Sequence, residues 1–369
     1  MKKLFFIAVM ASVAFASCTK NEPATKNSEQ EISFAAPVVS LNTKAATEVH
    51  NNYPITNDFV VWGHYYSGTY DTFAKGAVYM DSVRVAHNGA TWKPATAYYW
   101  PKNGSLTFIA FAPSSVKKAS VGASGIMIDD YTVSNDVSEQ VDLLFSERAY
   151  NKRALDDIET GGTTTSDNPE VTADPYTGVH ISFKHALSSI LFTAKLGNTY
   201  SGTTITLKKI ELTGINSVGD FNQGLADNGT AVTNREADLW SENEETKTTY
   251  TVTVNGNEGQ VLSTTPYYTC NGTSTAPAKN GGMRATDFIL LPQTIAADAK
   301  IKVTYTIKNG DSDAITQVIE ANLKSSVTEW RWGYRYIYNI IVGLNEISFE
   351  PYVADWADAN PNAGDVTIQ

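Results

Sequence analysis

Cysteine is almost missing. The 369 residues hold two, Cys18 and Cys270, so no disulfide framework can staple the chain. Histidine is nearly as scarce, with five. The nearest pair, His180 and His185, has odd spacing, which in a strand puts them on opposite faces and keeps them from sharing a metal. His185, before Ala186-Leu187-Ser188, reads as a packed or hydrogen-bonded core residue. Basic residues are outnumbered, 28 against 39 acidic, for a net charge of -11. That balance argues against nucleic acid or an anionic membrane surface as the main partner. No segment carries an apolar stripe of helical period over three turns. Nucleophile-elbow, phosphate-loop and zinc-helix motifs are all missing. No catalytic residue, metal or cofactor is therefore expected. Wholesale disorder is excluded too, because 42% of the residues are hydrophobic.

One long apolar run exists, and it opens the chain. Lys2 and Lys3 precede Leu4 to Phe15, and Ala16-Ser17-Cys18 follow. Twelve apolar residues are too short to cross a bilayer core of about 30 Å. The pattern is an export signal over residues 1–17. A cysteine just after it is the acceptor expected in a bacterial lipoprotein, where Cys18 is acylated and becomes the new N-terminus. The alternative is an ordinary signal peptide with an incidental cysteine. Cys270 has no histidine or second cysteine near it in sequence and reads as passive. Thr19 to Glu31 is polar and reads as a tether.

The rest is strand-like. Ile32-Ser33-Phe34 opens a short strand expected to run to Val39. Further strands are expected at Phe59–Tyr66, Ala77–Val85, Leu106–Ala112, two pieces within Ile181–Leu196, and Ile205–Ile215. Leu106 to Ala112 is almost continuously apolar, so both its faces should be buried. Tyr250, Val252 and Val254 alternate on one face, as do Ile301, Val303, Tyr305 and Ile307. Asn309-Gly310 is a type I′ hairpin signal, with Ile315–Leu323 returning antiparallel. Tyr336–Val342 and Ile347–Val353 form a last pair around Gly343-Leu344-Asn345. Glu159–Gly178 and Asn255–Gly282 read as surface loops. Short strands at this spacing predict an all-β fold of sandwiches. The length allows two domains, with a boundary near Lys184.

Other chemistry is thinly supported. Acidic clusters at Asp129-Asp130, Asp156-Asp157-Ile158-Glu159 and Glu242–Glu245 could in principle hydrolyse a glycoside, but acidic runs in loops are more often solvated surface. Asn309-Gly310-Asp311-Ser312-Asp313 lacks the closing acid of a calcium loop. Trp92, Trp100 and Trp240 could stack on a sugar, although tryptophans at strand ends are more often core.

An ordered set of short motifs resembles the fimbrillin family, the subunits of type V pili. Tyr98-Tyr99-Trp100-Pro101 and then Leu106-Thr107-Phe108-Ile109-Ala110-Phe111-Ala112-Pro113 are similar to its Y-W-P and F-x-A-x-x-P pattern. Ile181-Ser182-Phe183-Lys184-His185-Ala186-Leu187-Ser188 resembles its F-x-H-x-L-S element, and Leu290-Leu291-Pro292-Gln293 its L-P-Q segment. Trp330, Trp332, Gly333, Tyr336 and Tyr338, with the late Asp355-Trp356, are similar to its C-terminal signature.

The resemblance implies two transthyretin-like β-sandwich domains in tandem, expected over residues 45–184 and 185–369. It also implies a route. Residues 18–44 would be a lipidated propeptide carrying a removable strand. The precursor reaches the outer membrane as a lipoprotein, and a trypsin-like protease specific for Arg or Lys cuts after a basic residue. A C-terminal strand of the next subunit then fills the vacated groove, building a cell-surface fimbrium. Ile32, Phe34 and Val38 would be the apolar teeth of the leaving strand. Lys44, before Ala45-Ala46-Thr47, is the best cut site, with an ordinary loop lysine as the alternative. Candidate donor residues are Ile347, Phe349, Tyr352 and Trp356, or Val366 with Ile368; a bulge or break is expected at Pro351. Expected partners are other pilin subunits, the protease and a ligand on a host or bacterial surface, with membrane contact only through the precursor lipid. A tip or accessory adhesin, or a monomeric glycan-binding lipoprotein, are the competing readings.

Overall fold

The computed structural model describes residues 26–41, 49–67, 75–153, 178–224, 239–242, 246–269, 288–344 and 347–355. The fold is all-β: strands are joined by loops and short 3₁₀ turns. Among the described residues no helix is long and apolar enough to cross a membrane.

A nine-stranded sheet dominates the first half. Its order runs Val49–Asn52, Val38–Leu41, Ser182–His185, Leu144–Ser146, Ser105–Ala112, Asp58–Tyr66, Ala77–His87 and Trp92–Pro94, with Ala149–Arg153 also pairing Ser105–Ala112. Every residue of Ser105–Ala112 is buried. The cause is two-sided cover. Phe108 and Ala110 face one core with Phe34, Phe59 and Trp100, while Ile109 and Phe111 face a second with Val60, Trp62 and Phe145. A strand covered on both sides needs apolar residues at every position, which is why its sequence shows no alternation.

Two five-stranded sheets make up most of the second half. One is ordered Tyr267–Tyr268, Ser188–Leu196, Tyr334–Val342, Ile347–Asp355, with Phe288–Leu290 also on Ser188–Leu196. The other is ordered Lys247–Thr253, Thr203–Asn216, Lys300–Asn309, Ile315–Asn322. Their alternating residues meet in a shared core: Tyr250, Val252, Ile301, Val303 and Tyr305 lie with Ile190, Phe192, Tyr338 and Ile340. The Phe192 ring stacks on Tyr338 at 5.8 Å. Within that core the Trp330 indole N–H donates to Tyr338 Oη at 3.0 Å.

A four-stranded sheet, ordered Trp240–Glu242, Val218–Asn222, Gly125–Thr132, Ala119–Gly122, draws strands from both halves. Lys184 lies one residue before the end of the nine-stranded sheet, and Ser188 begins a different sheet. The chain thus changes sheets where a boundary is expected, yet the four-stranded sheet and one core span that point. Phe145 contacts Phe221 and Trp332, and Trp240 Nε1 donates to Ala186 O at 2.7 Å.

Several sequence expectations need correction. Lys26–Glu31, read as tether, is a strand paired antiparallel with Tyr99–Pro101. The expected strand Ile32–Val39 is interrupted, with a bridge at Phe34 and a new strand only from Val38. Pro37 accounts for the break, since it has no N–H to give to a ladder. The hairpin after Asn309 does return antiparallel, but Gly310 to Ala314 form the connection, closed by Ser312 N–H to Asn309 O at 3.0 Å. The stretch from Asn255 is not all loop. Gln260–Val261 and Tyr267–Tyr268 are short strands, and Leu262, Tyr267 and Tyr268 are buried.

Candidate functional site

The leading segment, residues 26–41, is held by backbone on both sides. Ile32 N–H donates to Tyr98 O at 2.7 Å and Phe34 N–H to Trp92 O at 2.9 Å. Toward the other side, Ala35 N–H donates to Val179 O at 3.0 Å and Val38 N–H to Ile181 O at 3.1 Å, while Val179 N–H donates back to Ser33 O at 2.8 Å. Pairing is antiparallel at Trp92 and parallel at Val179, continuing parallel as Val38↔Ser182 and Val39↔Phe183.

Side chains follow the same logic. Ile32 and Phe34 are 1% and 2% exposed. Phe34 meets Phe59 and Phe108 edge-on, with ring centroids at 5.7 and 5.8 Å. Val38 is only half-buried, and it is Val39 that enters the core. The hydrophobic core positions of this segment are therefore Ile32, Phe34 and Val39, because the interruption at Pro37 changes the alternation by one position. Gly178 fits closely over the segment. It has φ +94°, and a Cβ there would lie 2.6 Å from Ala35 N and 2.8 Å from the Phe34 carbonyl carbon.

The walls are aromatic and polar in turn. Tyr53 packs on Trp92 and Phe183, and its hydroxyl donates to Asp58 O at 2.6 Å. Burial, reinforced by the Asp58 and Asp142 carboxylates, pushes that phenol well above its ordinary value. Burial alone pushes the Tyr79 hydroxyl up to about 12, and this hydroxyl donates to Tyr99 O. Burial would raise the Asp58 carboxyl, but hydrogen bonds from Ser114 and Arg84 outweigh it and hold the group below the usual carboxylate range. Lys93 Nζ pairs with Glu31 Oε2 at 2.7 Å, in a half-exposed contact of little energetic weight.

The C-terminal strand Ile347–Asp355 lies against Tyr334–Val342 over its whole length, from Val342↔Ile347 to Tyr334↔Asp355. No bulge or break occurs at Pro351, which sits opposite Tyr338. Among the described residues the strand is at the sheet edge, where a residue without an N–H is tolerated. Ile347, Phe349 and Val353 pack partly buried against the core, and Tyr352 lies opposite Ile337. Cys18, Lys44, Ala45, Trp356, Val366, Ile368 and Cys270 lie outside the described residues.

The tryptophan platform is overturned. Trp92 and Trp100 are each 2% exposed and Trp240 is 9% exposed, so no sugar can stack on them. His185 is the hydrogen-bonded core residue expected, with Nδ1 at 2.9 Å from Asp142 Oδ2. One signal escaped the sequence reading. Ile-Ser-Phe occurs at 32–34, 181–183 and 347–349, and only the first and last copies are followed within a few residues by proline and then valine.

The fimbrillin-like family model matches residues 47–356. Among solved structures, a fimbrial protein of Bacteroides vulgatus is 14% identical, with 88% of this chain and 99% of that one covered, at a TM-score of 0.48. A candidate cell adhesion protein of Bacteroides uniformis is also 14% identical, over 88% and 99%, at 0.45. The tip fimbrial protein Mfa3 of Porphyromonas gingivalis, C-terminally truncated, is 8% identical over 87% and 99%, at 0.34. No curated protein matches the chain. The assignment rests on the match over residues 47–356: the chain belongs to the fimbrillin-like family.

Proposed function

We propose that this chain is a structural subunit of a cell-surface fimbria. It is exported as a lipoprotein on Cys18, matured by cleavage after Lys44, and polymerised by strand exchange. Two tandem sandwiches meeting near Lys184 would form its body. The observation that carries the reading is the leading segment itself. Its Ile32 and Phe34 are buried, its backbone is bonded on both sides, and Lys44 follows only three residues after Leu41. Removing it would leave an apolar trough walled by unpaired N–H and C=O groups, which a strand from another chain can satisfy. Ile347-Ser348-Phe349 repeats the tripeptide that fills this trough, which favours Ile347–Val353 over Val366 and Ile368 as the donor. After Lys44, 23 basic and 36 acidic residues remain, a net of -13 that would keep subunits soluble before assembly.

A tip or accessory subunit is the second reading, favoured by the unbroken pairing of Ile347–Asp355 with its own chain. Both readings are tested by the N-terminal sequence and intact mass of protein taken from the cell surface. A start at Ala45 in an SDS-resistant ladder is the expected result for a stalk subunit. The same start without homopolymer points to a tip. A lipidated Cys18 terminus on a monomer refutes strand exchange.

A further inference from the structure

Among the described residues, strand Ile315–Asn322 is the outermost of its sheet. Its pairing with Lys300–Asn309 runs from Ile307↔Ile315 to Lys300↔Asn322 without a register shift. Ile315 is 62% and Val318 55% exposed. Proteins usually blunt such edges with proline, charge or bulges. Two other long edges among the described residues do so: Ile347–Asp355 holds Pro351, and the partner of Lys247–Thr253 is bulged between Thr213 and Ile215. Ile315–Asn322 has neither proline nor bulge, and its one charge, Glu320, is occupied by Lys300 at 2.9 Å and Lys302 at 2.8 Å.

We infer that this edge pairs with the same strand of a second copy of the chain, antiparallel, about a two-fold axis through Val318. The strand is complementary to itself in this arrangement. In a continuous sheet, residues directly opposite must share a face. Thr316, Val318 and Glu320 alternate with Gln317, Ile319 and Ala321, and Ile319 and Ala321 are packed on the core. Centring on Val318 puts valine against valine, Thr316 against Glu320 on each side, and Gln317 against Ile319. No like charges face each other, and both Thr316 hydroxyls can donate to a carboxylate. The contact is isologous and closes on itself, so it is distinct from head-to-tail polymerisation and does not depend on Lys44 being cut.

The test uses the full chain carrying Cys18→Ser and Cys270→Ser. Sedimentation equilibrium should give twice the chain mass, and Val318→Lys should return it to a monomer with an unchanged far-ultraviolet circular dichroism spectrum. Val318→Cys should form a covalent dimer under mild oxidation, since directly opposite residues lie within disulfide reach. Thr316→Cys should not, because two such cysteines would sit about 13 Å apart along the strands. A monomer at high concentration that fails to cross-link through Val318→Cys overturns the inference. Equal cross-linking of the two cysteine variants also overturns it.

Discussion

Replacing Phe34 by alanine tests the leading segment most directly. The ring is 2% exposed and sits edge-on between Phe59 and Phe108. Core Phe→Ala changes cost about 3–5 kcal/mol, with the higher values where the site cannot collapse. Collapse is resisted here, because the Phe34 backbone is tied to Trp92 O and its neighbour Ala35 to Val179 O. Two edge-on aromatic pairs are also lost, each worth about 0.5–1.5 kcal/mol beyond area. A loss of about 4 kcal/mol is therefore expected. For a unit of about 150–250 residues, 1 kcal/mol moves the melting temperature by about 2–4 °C, so the drop should be roughly 8–16 °C. Calorimetry of the uncleaved chain reads it, with a chain beginning at Ala45 as the reference. The Ala45 chain should melt lower still, since it lacks every contact of the segment. A drop under about 4 °C for Phe34→Ala would mean that the ring contributes little to the core, and the trough argument would fail with it.

Gly178→Ala forces a Cβ at φ +94° to within 2.6 Å of Ala35 N. It should destabilise the uncleaved chain by at least about 1–2 kcal/mol, read by urea unfolding, and a chain beginning at Ala45 by less, because there the clash with Ala35 and Phe34 is gone and only the strain of the positive φ remains. Tyr338→Phe leaves the buried Trp330 N–H without its acceptor and should cost about 1–3 kcal/mol in the same assay; no change would place water at that indole. Hydrogen bonds from Lys302 and then Lys300 lower the Glu320 carboxyl from its ordinary 4.5 to about 2. Because the folded value is depressed, the contribution is complete above 4.5 and fades as pH falls towards 2. A carbon-detected titration should show a midpoint near 2, moving up in Lys302→Met; a midpoint near 4.5 in the parent chain would refute the pairing.

Half-buried strands were legible because water on one side and core on the other impose a period of two. Tyr250 and Val252 showed it, as did Ile301, Val303 and Tyr305, while Val254, buried on the same face, already opens a 3₁₀ turn. Ser105–Ala112 was legible for the opposite reason, as an apolar run covered on both faces. Lys26–Glu31 was hidden because it is joined to Tyr99–Pro101 through the backbone, and a polar strand leaves no apolar pattern to read. Buried charge was hidden as well. Arg335 is fully buried with Nε 3.3 Å from Ser189 Oγ, and buried Lys184 pairs with Glu147. Composition alone would place both at the surface. The four-stranded sheet was out of reach because Met127↔Asn222 joins residues nearly a hundred positions apart.

The leading segment combines two properties that usually exclude each other. It is bonded like an interior strand, with partners on both sides, yet it belongs to the start of the chain and is followed by Lys44 in the stretch beyond Leu41. While the chain is intact, the tether holds the segment at a high effective concentration, so each local opening is followed by reclosure. A cut at Lys44 would leave the backbone bonds of Ile32, Phe34, Ala35 and Val38 in place, but it would turn that reclosure into a bimolecular event. The bonds themselves would then decide the outcome, and a strand delivered by an assembling neighbour would compete at a concentration the free segment cannot match. On this argument, cleavage and strand arrival are separate steps. Cut protein held at low concentration should keep residues 26–41 bound for a measurable time, and adding a peptide of residues 347–355 should shorten it. Release at a rate independent of that peptide would show that the segment leaves on its own and that the groove waits empty for its donor.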